Sequence, residues 1–181
     1  MNAPAQLETA RLTLRPWAED DVGPFATLYA DDGARFVGGR CTTDEVWRRM
    51  ACFIGHWALR GYGFWALEEK ANGHFVGFSG LWYPHGWPEH EVGWSLVPAA
   101  RGRGFATEAA AAARAIAYGH LKWTTLVSYI APGNDPSRRV AERLGAAKGS
   151  MIKLRGQDAV VYRHPPPETL EIEQTCKKME P

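Results

Sequence analysis

Cysteine is scarce. Only Cys41, Cys52 and Cys176 occur in 181 residues, an odd number with no C-x-x-C spacing. That argues against a disulfide framework or a zinc site and fits a reducing compartment. An excess of one charge is also missing: Lys and Arg total 21, Asp and Glu 20, for a formal net charge of +1. No bulk attraction to nucleic acid or to a membrane surface is expected. Long apolar runs are absent. The longest, residues 109–113, is far too short to span a bilayer. Residues 1–14 lack a basic region followed by an apolar core, so no signal peptide is expected and the cytoplasm is the expected location. There is no internal repeat and no linker long enough to separate domains.

What is there suits one soluble globular domain over residues 1–164, with a separate tail over 165–181. Apolar residues make up 45% and charged residues 23%. Eight Trp is a high count, and several fall between Trp65 and Trp94, where they line something as well as fill a core. Period-two alternation predicts a strand over 12–17. A short helix follows Asp20 and Asp21, with Val22, Phe25, Leu28 and Tyr29 on one face. Residues 31–40 read as a loop. Thr42 and Glu45 have capping-box spacing, and Val46, Met50, Phe53, Ile54 and Trp57 then recur at helical spacing until Gly61. Strands are predicted over 64–69 and 75–83, joined at Asn72-Gly73, and over 90–97. A helix over 106–121, a strand over 124–130, a helix capped by Asp135 and closed at Gly145, and strands near 150–155 and 159–163 complete the order. The result is a mixed α/β domain with about seven strands and four helices.

The chemistry centres on residues 101–107. A strand ends before Pro98, Gly102 and Gly104 follow, and a helix begins directly. Backbone N–H groups at a helix start, glycines that let a phosphate approach, and the cations Arg101 and Arg103 make a cradle for a diphosphate. A P-loop needs G-x-x-x-x-G-K-[S/T], which is absent. A dinucleotide fold needs a third glycine and an acidic residue on the next strand; position 107 is Thr, and 124–130 holds no carboxylate.

The run Arg101-Gly102-Arg103-Gly104-Phe105-Ala106 fits R-x-x-G-x-A and resembles the acetyl-CoA-binding motif of the Gcn5-related N-acetyltransferases (GNAT). Asn134, Ser137, Val140, Leu144 and Gly145 are similar in spacing to a second conserved segment of that superfamily. Gly-Phe-Ala-Thr-Glu-Ala at 104–109 resembles most closely the subgroup that acetylates ribosomal-protein N-termini. The resemblance covers roughly residues 7–164. It implies a mostly antiparallel sheet splayed between the strands at 90–97 and 124–130. It places pantetheine against the backbone of Leu96 and Val97, the diphosphate on Arg101, Gly102, Arg103, Gly104, Phe105, Ala106 and Thr107, and the thioester end near Asn134 and Ser137. Arg138 and Arg139 are offered either as phosphate contacts or as a solvated helix face.

The implied reaction is direct attack of a primary amine on acetyl-CoA in a ternary complex. The acceptor is a small molecule or a protein N-terminus. At pH 7 an α-amine of pKa about 8 is roughly one-tenth neutral, whereas a lysine near 10.4 is neutral about once in 2,500. A base therefore matters more for lysine. Glu91, on the strand before the cofactor turn, is the candidate base, with loop orientation or arginine pairing as its other reading. Ser137 is the candidate acid, because Ala141 stands where many relatives carry a tyrosine; its other reading is a first-turn serine bonding the backbone. Phe36, Trp82 and Trp87 are the candidate acceptor contacts, drawn from a wider aromatic set with Trp17 and Tyr83. His85 and His90 have no third ligand at zinc-like spacing, so no metal is expected. Two further classes stay open: a non-catalytic acyl-CoA sensor, and a transferase for a longer acyl group such as succinyl. A homodimer is also left open.

Overall fold

The computed structural model describes residues 2–30 and 32–169. Residues 170–181 of the expected tail, with Cys176, lie outside the described residues, as do Met1 and Asp31. Strands β1 (Leu7–Glu8), β2 (Leu12–Arg15), β3 (Phe64–Glu69), β4 (His74–Trp82), β5 (Glu91–Leu96), β6 (Val127–Ile130), β7 (Ala147–Leu154) and β8 (Gln157–Arg163) form one sheet. Helices α1 (Val22–Leu28), α2 (Thr43–Arg60), α3 (Phe105–Ala115) and α4 (Asp135–Arg143) complete a mixed α/β architecture. The sheet order is β1-β2-β3-β4-β5-β6-β8-β7. Every neighbouring pair is antiparallel except β5 with β6.

Eight strands replace the expected seven because Leu7 and Glu8 fold back to pair with Leu14 and Thr13. The strand expected over 124–130 starts only at Val127. There β5 and β8 both begin to pair with it through Glu91 and Arg163, and earlier residues have no ladder to join. The helix expected over 106–121 narrows to α3 and then widens into a π-helical turn over Ile116–His120. Leu121 N–H reaches Ile116 O at 2.9 Å, and Gly119, a poor helix former, sits inside this turn. The last hairpin begins at Ala147, with a register break between Lys148 and Met151. Arg155 and Gly156, both at positive φ, make its two-residue turn. Asp32–Phe36 forms a 3-10 turn where a loop was expected.

Side-chain alternation builds the core. Phe64, Phe78 and Trp82 meet Phe53 of α2, and Phe78 also meets Phe25 of α1. The alternate residues Trp65, Leu81 and Val92 point to the other face and are fully buried. There α3 lays its small residues Ala109, Ala110 and Ala113 against the sheet, all without solvent exposure. Small side chains let the helix come close to β4 and β5, which fixes where its N-terminus points. The capping box at α2 forms as the sequence indicates: Thr42 Oγ1 accepts from Glu45 N–H, and Glu45 accepts from Thr42 N–H at 2.8 Å.

Candidate active site

The turn after β5 places two glycines at positive φ, Gly102 at 76° and Gly104 at 84°. An L side chain in that region costs about 1–2 kcal/mol, so glycine suits both positions. Space beside Gly102 is open: a Cβ there would meet nothing within 4 Å beyond its own chain neighbours. Gly104 is the N-cap of α3, and no side chain caps the helix. The first amides of α3 are thus left to whatever anion docks there. Phe105 is fully buried, so it anchors the turn and offers only backbone. Arg11 and Arg103 both lie over its ring, at 4.8 and 4.5 Å.

The cations divide. Arg103 is held by the Glu69 carboxylate, with Nη1 donating at 2.9 Å. Arg101 Nε donates to Leu96 O at 3.2 Å. Val97 gives its N–H to Val76 O and accepts from Ala100 N–H. Pantetheine pairing through the Val97 amide would therefore require that amide to leave Val76. Arg138 is engaged by Asp135 and Glu142, the solvated-face reading. Glu108 ties α3 to the N-terminal hairpin through Thr9 and Arg11.

The sheet opens between β5 and β6. Their ladder has one registered pair, Glu91 with Val127, and Val127 N–H donates to His90 O. Beyond it the contact is a side-chain bridge: Ser128 Oγ donates to Val92 O at 2.6 Å. That hydroxyl proton is spent on Val92, so His164 Nε2, 3.0 Å away, is the donor to Ser128 Oγ. His164 Nδ1 is then a buried acceptor with no partner. Burial, with the Arg114 charge, pushes the His164 pKa down to about 3, and the ring stays neutral.

A cavity of about 320 Å³ lies at this opening. Phe36, Phe53, Phe64, Phe78, Trp82, Trp87 and Trp94 line it, with Tyr29 and Tyr129. Glu91, Ser128, Asn134 and Ser137 bring polar groups, and Arg49 brings a cation. All three expected acceptor contacts, Phe36, Trp82 and Trp87, therefore stand on one wall system with Glu91 and Ser137. Trp17 and Tyr83 do not. Trp17 packs among Phe25, Phe53, Phe75 and Phe78 and donates to Phe64 O. Tyr83 meets His90 at a tilt of 48°, and His90 in turn stacks on Trp123 at 3.9 Å.

Glu91 is the electrostatic centre of the cavity. Trp87 Nε1 donates to its Oε2 at 2.8 Å, and the Tyr129 amide also favours the anion. Loss of water outweighs both, and burial pushes the Glu91 pKa up to about 8. Tyr129 is shifted the same way. Burial first, then the Glu89 and Glu91 charges, raise its phenol to about 12, so it stays protonated. Asn134 rather than Asp135 is the N-cap of α4: Asn134 Oδ1 accepts from Ser137 N–H at 3.3 Å. The Asn134 carbonyl oxygen is thus partly spent on the helix. Ala141, at the position many relatives fill with tyrosine, is fully buried beside Ile130, Ala146 and Tyr162.

Residues 11–147 match the family model described as an acetyltransferase (GNAT) domain. The chain belongs to the GNAT acetyltransferase family. Acyl transfer is the chemistry of that family. A Bacillus subtilis (strain 168) protein designated YkkB, itself uncharacterized, is 30% identical over 169 residues, 90% of this chain and 96% of its own. The crystal structure of an acetyltransferase from Agrobacterium tumefaciens str. C58 is 34% identical, with a TM-score of 0.81 over 91% of this chain and 96% of that one. The fold is also that of the aminoglycoside acetyltransferase AAC(6')-Ib, solved in complex with coenzyme A, at 18% identity and a TM-score of 0.74 over 90% of this chain and 99% of that one. Among the described residues no helix is long and apolar enough to cross a membrane.

Tyr129, Ser128, His164 and Arg49 were not among the residues that the sequence singled out. One signal for Tyr129 existed. It lies two residues after Val127, the residue level with Glu91 across the opening, so period-two alternation puts it on the same face as Val127. Nothing local marks His164 or Arg49, whose places depend on the packing of distant segments.

Proposed function

We propose that the protein is an N-acetyltransferase that moves the acetyl group of acetyl-CoA to a primary amine while both are bound. The observation that carries this reading is Glu91: a carboxyl group pushed up to about 8, standing in an aromatic cavity where β5 and β6 diverge. A base works best when its pKa lies near the operating pH and near that of the group it deprotonates. A carboxylate of about 8 is matched to an ammonium of pKa about 8–10, where an ordinary glutamate near 4.3 is not.

The open space at Gly102, the uncapped amides of α3 and the splayed strands fit a diphosphate joined to an extended arm. Gly102, Arg101, Gly104 and the amides of Phe105, Ala106 and Thr107 would hold the diphosphate. Leu96, Val97, Asn134 and Ser137 would flank the arm. Acetyl-CoA, when bound, supplies the activated acetyl thioester. Glu91 takes the proton of the incoming ammonium, and Trp87 fixes the carboxylate that receives it. Ser137 is the hydroxyl assigned to return a proton to sulfur, since Ala141 cannot. The aromatic wall keeps water from the base, and that exclusion is what raises its pKa.

The test is thiol release from acetyl-CoA against a panel of amines that includes a peptide with a free N-terminus. Turnover that depends on both substrates and is lost in Glu91→Gln is the expected result. Tight acetyl-CoA binding without thiol release on any amine would overturn the reading in favour of a sensor. Faster turnover with succinyl-CoA would overturn the acetyl assignment.

A further inference from the structure

The acetyl-transfer reading leaves the acceptor open, and the wall chemistry of the cavity narrows it. We infer that the acceptor is a small arylalkylamine: one ammonium on a short arm attached to a flat apolar group, with no second charge. This rests on the acetyl-transfer reading above.

Charge comes first. Among the described residues lining the cavity, Glu91 is the only acid. Arg49 is the only other residue with a formal charge. It is already committed, with Nη1 donating to Val37 O at 2.8 Å and the guanidinium lying over the Tyr29 ring at 4.8 Å. A polyamine or an aminoglycoside brings several ammoniums to a site with one carboxylate. Each extra ammonium would be desolvated without a partner, which is strongly unfavourable in an apolar site.

Shape comes next. Trp82 stacks on Phe64 at 5.1 Å with ring planes 19° apart, and Phe53 meets both edge-on at 5.4 and 4.9 Å. His56 stacks on the far side of Trp82 at 4.3 Å and accepts from Tyr83 N–H through Nε2. With both faces covered, Trp82 offers the cavity a ring edge held in place, a fixed apolar wall rather than an adaptable one. A peptide N-terminus would need partners for its backbone amides, which the rings of Phe53, Phe64 and Phe78 cannot supply. A volume of about 320 Å³ must also admit the thioester end of the donor, so the room left suits a single ring system rather than a chain. The ammonium itself is served by the Glu91 carboxylate, to which Trp87 turns its N–H edge, while the Arg155 guanidinium already lies over the Trp87 ring at 5.1 Å.

The transfer balances without any other reactant. The amine nitrogen bonds to the acetyl carbon, the carbon–sulfur bond breaks, and sulfur leaves with the electron pair. The ammonium gives up two protons: Glu91 takes the first and passes it to water, and the second, released once nitrogen has bonded to the acetyl carbon, reaches the leaving sulfur through Ser137. An N-substituted acetamide and free coenzyme A result.

The experiment is thiol release by the full chain at saturating acetyl-CoA, with 2-phenylethylamine, tryptamine, phenylalanine, spermidine, an aminoglycoside and a short peptide. We expect kcat/KM for the two arylalkylamines to exceed that for every multiply charged or peptide acceptor by about 100-fold, the scale of one unpaired buried charge. Phenylalanine, whose carboxylate would face Glu91, falls at least about tenfold below 2-phenylethylamine. Equal or faster turnover of spermidine, the aminoglycoside, the peptide or phenylalanine overturns the acceptor class and leaves acetyl transfer standing. Thiol release with none of them, although acetyl-CoA binds, overturns acetyl transfer itself. A second variant keeps the inference testable without cutting into the core. Phe36 is only half-buried, and Phe36→Glu adds a second carboxylate to the wall. With folding verified by circular dichroism, the spermidine-to-phenylethylamine ratio should rise about tenfold, as expected for one added charge pair. An unchanged ratio would overturn the role given to the apolar wall.

Discussion

Replacing Trp87 with Phe isolates a single hydrogen bond. The ring stays, so the wall beside Glu91 is still apolar, and only the indole N–H that reaches Glu91 Oε2 at 2.8 Å is lost. That bond favours the carboxylate form and opposes the rise caused by burial. A hydrogen bond to a charged group contributes about 1.5–3 kcal/mol. At 1.36 kcal/mol per pKa unit, its loss lifts Glu91 by about one to two units beyond its present value of about 8. At pH 7 the ionised share then drops from about one-tenth to about one-hundredth or less. The assay is kcat for thiol release at saturating amine, followed from pH 6 to pH 10. The ascending limb, set by ionisation of Glu91, should shift upward by about one unit or more, with a loss of about tenfold to 100-fold at pH 7 and near-recovery at the alkaline end. A limb that stays in place, or a loss of equal size at every pH, would refute the argument that Trp87 tunes the base.

Other perturbations test separate links. In Glu91→Gln the sign of the stability change depends on pH. The folded pKa of about 8 lies above the reference 4.5, so the folded state binds the proton more tightly and wild type loses stability as pH rises through that window. The variant cannot ionise, so its Tm relative to wild type should climb from pH 4 to pH 8 and then level off; a constant difference would contradict the burial of the carboxyl. Gly104→Ala places a side chain at φ 84°, so it should cost about 1–2 kcal/mol in urea unfolding and raise KM for acetyl-CoA; an unchanged midpoint would mean that the turn relaxes. Ser128→Ala strands the Val92 carbonyl and the His164 Nε2 proton, for a loss of about 1–3 kcal/mol per orphaned group, measured by the same unfolding; no loss would show that water replaces the bridge.

The sequence made the glycine turn before α3 legible because the turn is local. Gly102 and Gly104 are neighbours, and their positive φ angles answer a need set within four residues. The α2 capping box was legible for the same reason. The splay was predicted by resemblance alone. No local rule says that the ladder between β5 and β6 stops after Glu91 and Val127, because that depends on β8 claiming the other edge of β6. Two places show neighbours competing beyond what a local reading resolves. Asp135 and Asn134 are both good caps, and the backbone chose Asn134. Arg103 sits in the glycine turn and pairs with Glu69 at the end of β3, a contact 34 residues away in the chain.

Glu91 shows why a catalytic assignment lags behind a fold. Its residue type and strand were readable, and its face followed from period-two alternation. Its pKa was not, because the desolvation that sets it comes from rings on α2, β3, β4 and the loop at Trp87, brought together only by the sheet. The same rings do two things at once. They strip water from the carboxyl, which makes it a base near 8. Among the described residues they also leave it as the sole acid lining the cavity, the ground on which a singly charged acceptor is proposed. Basicity and selectivity therefore have a common origin and must change together. A substitution that lets water reach Glu91, such as Phe36→Ser, lowers its pKa and loosens the acceptor preference in the same variant.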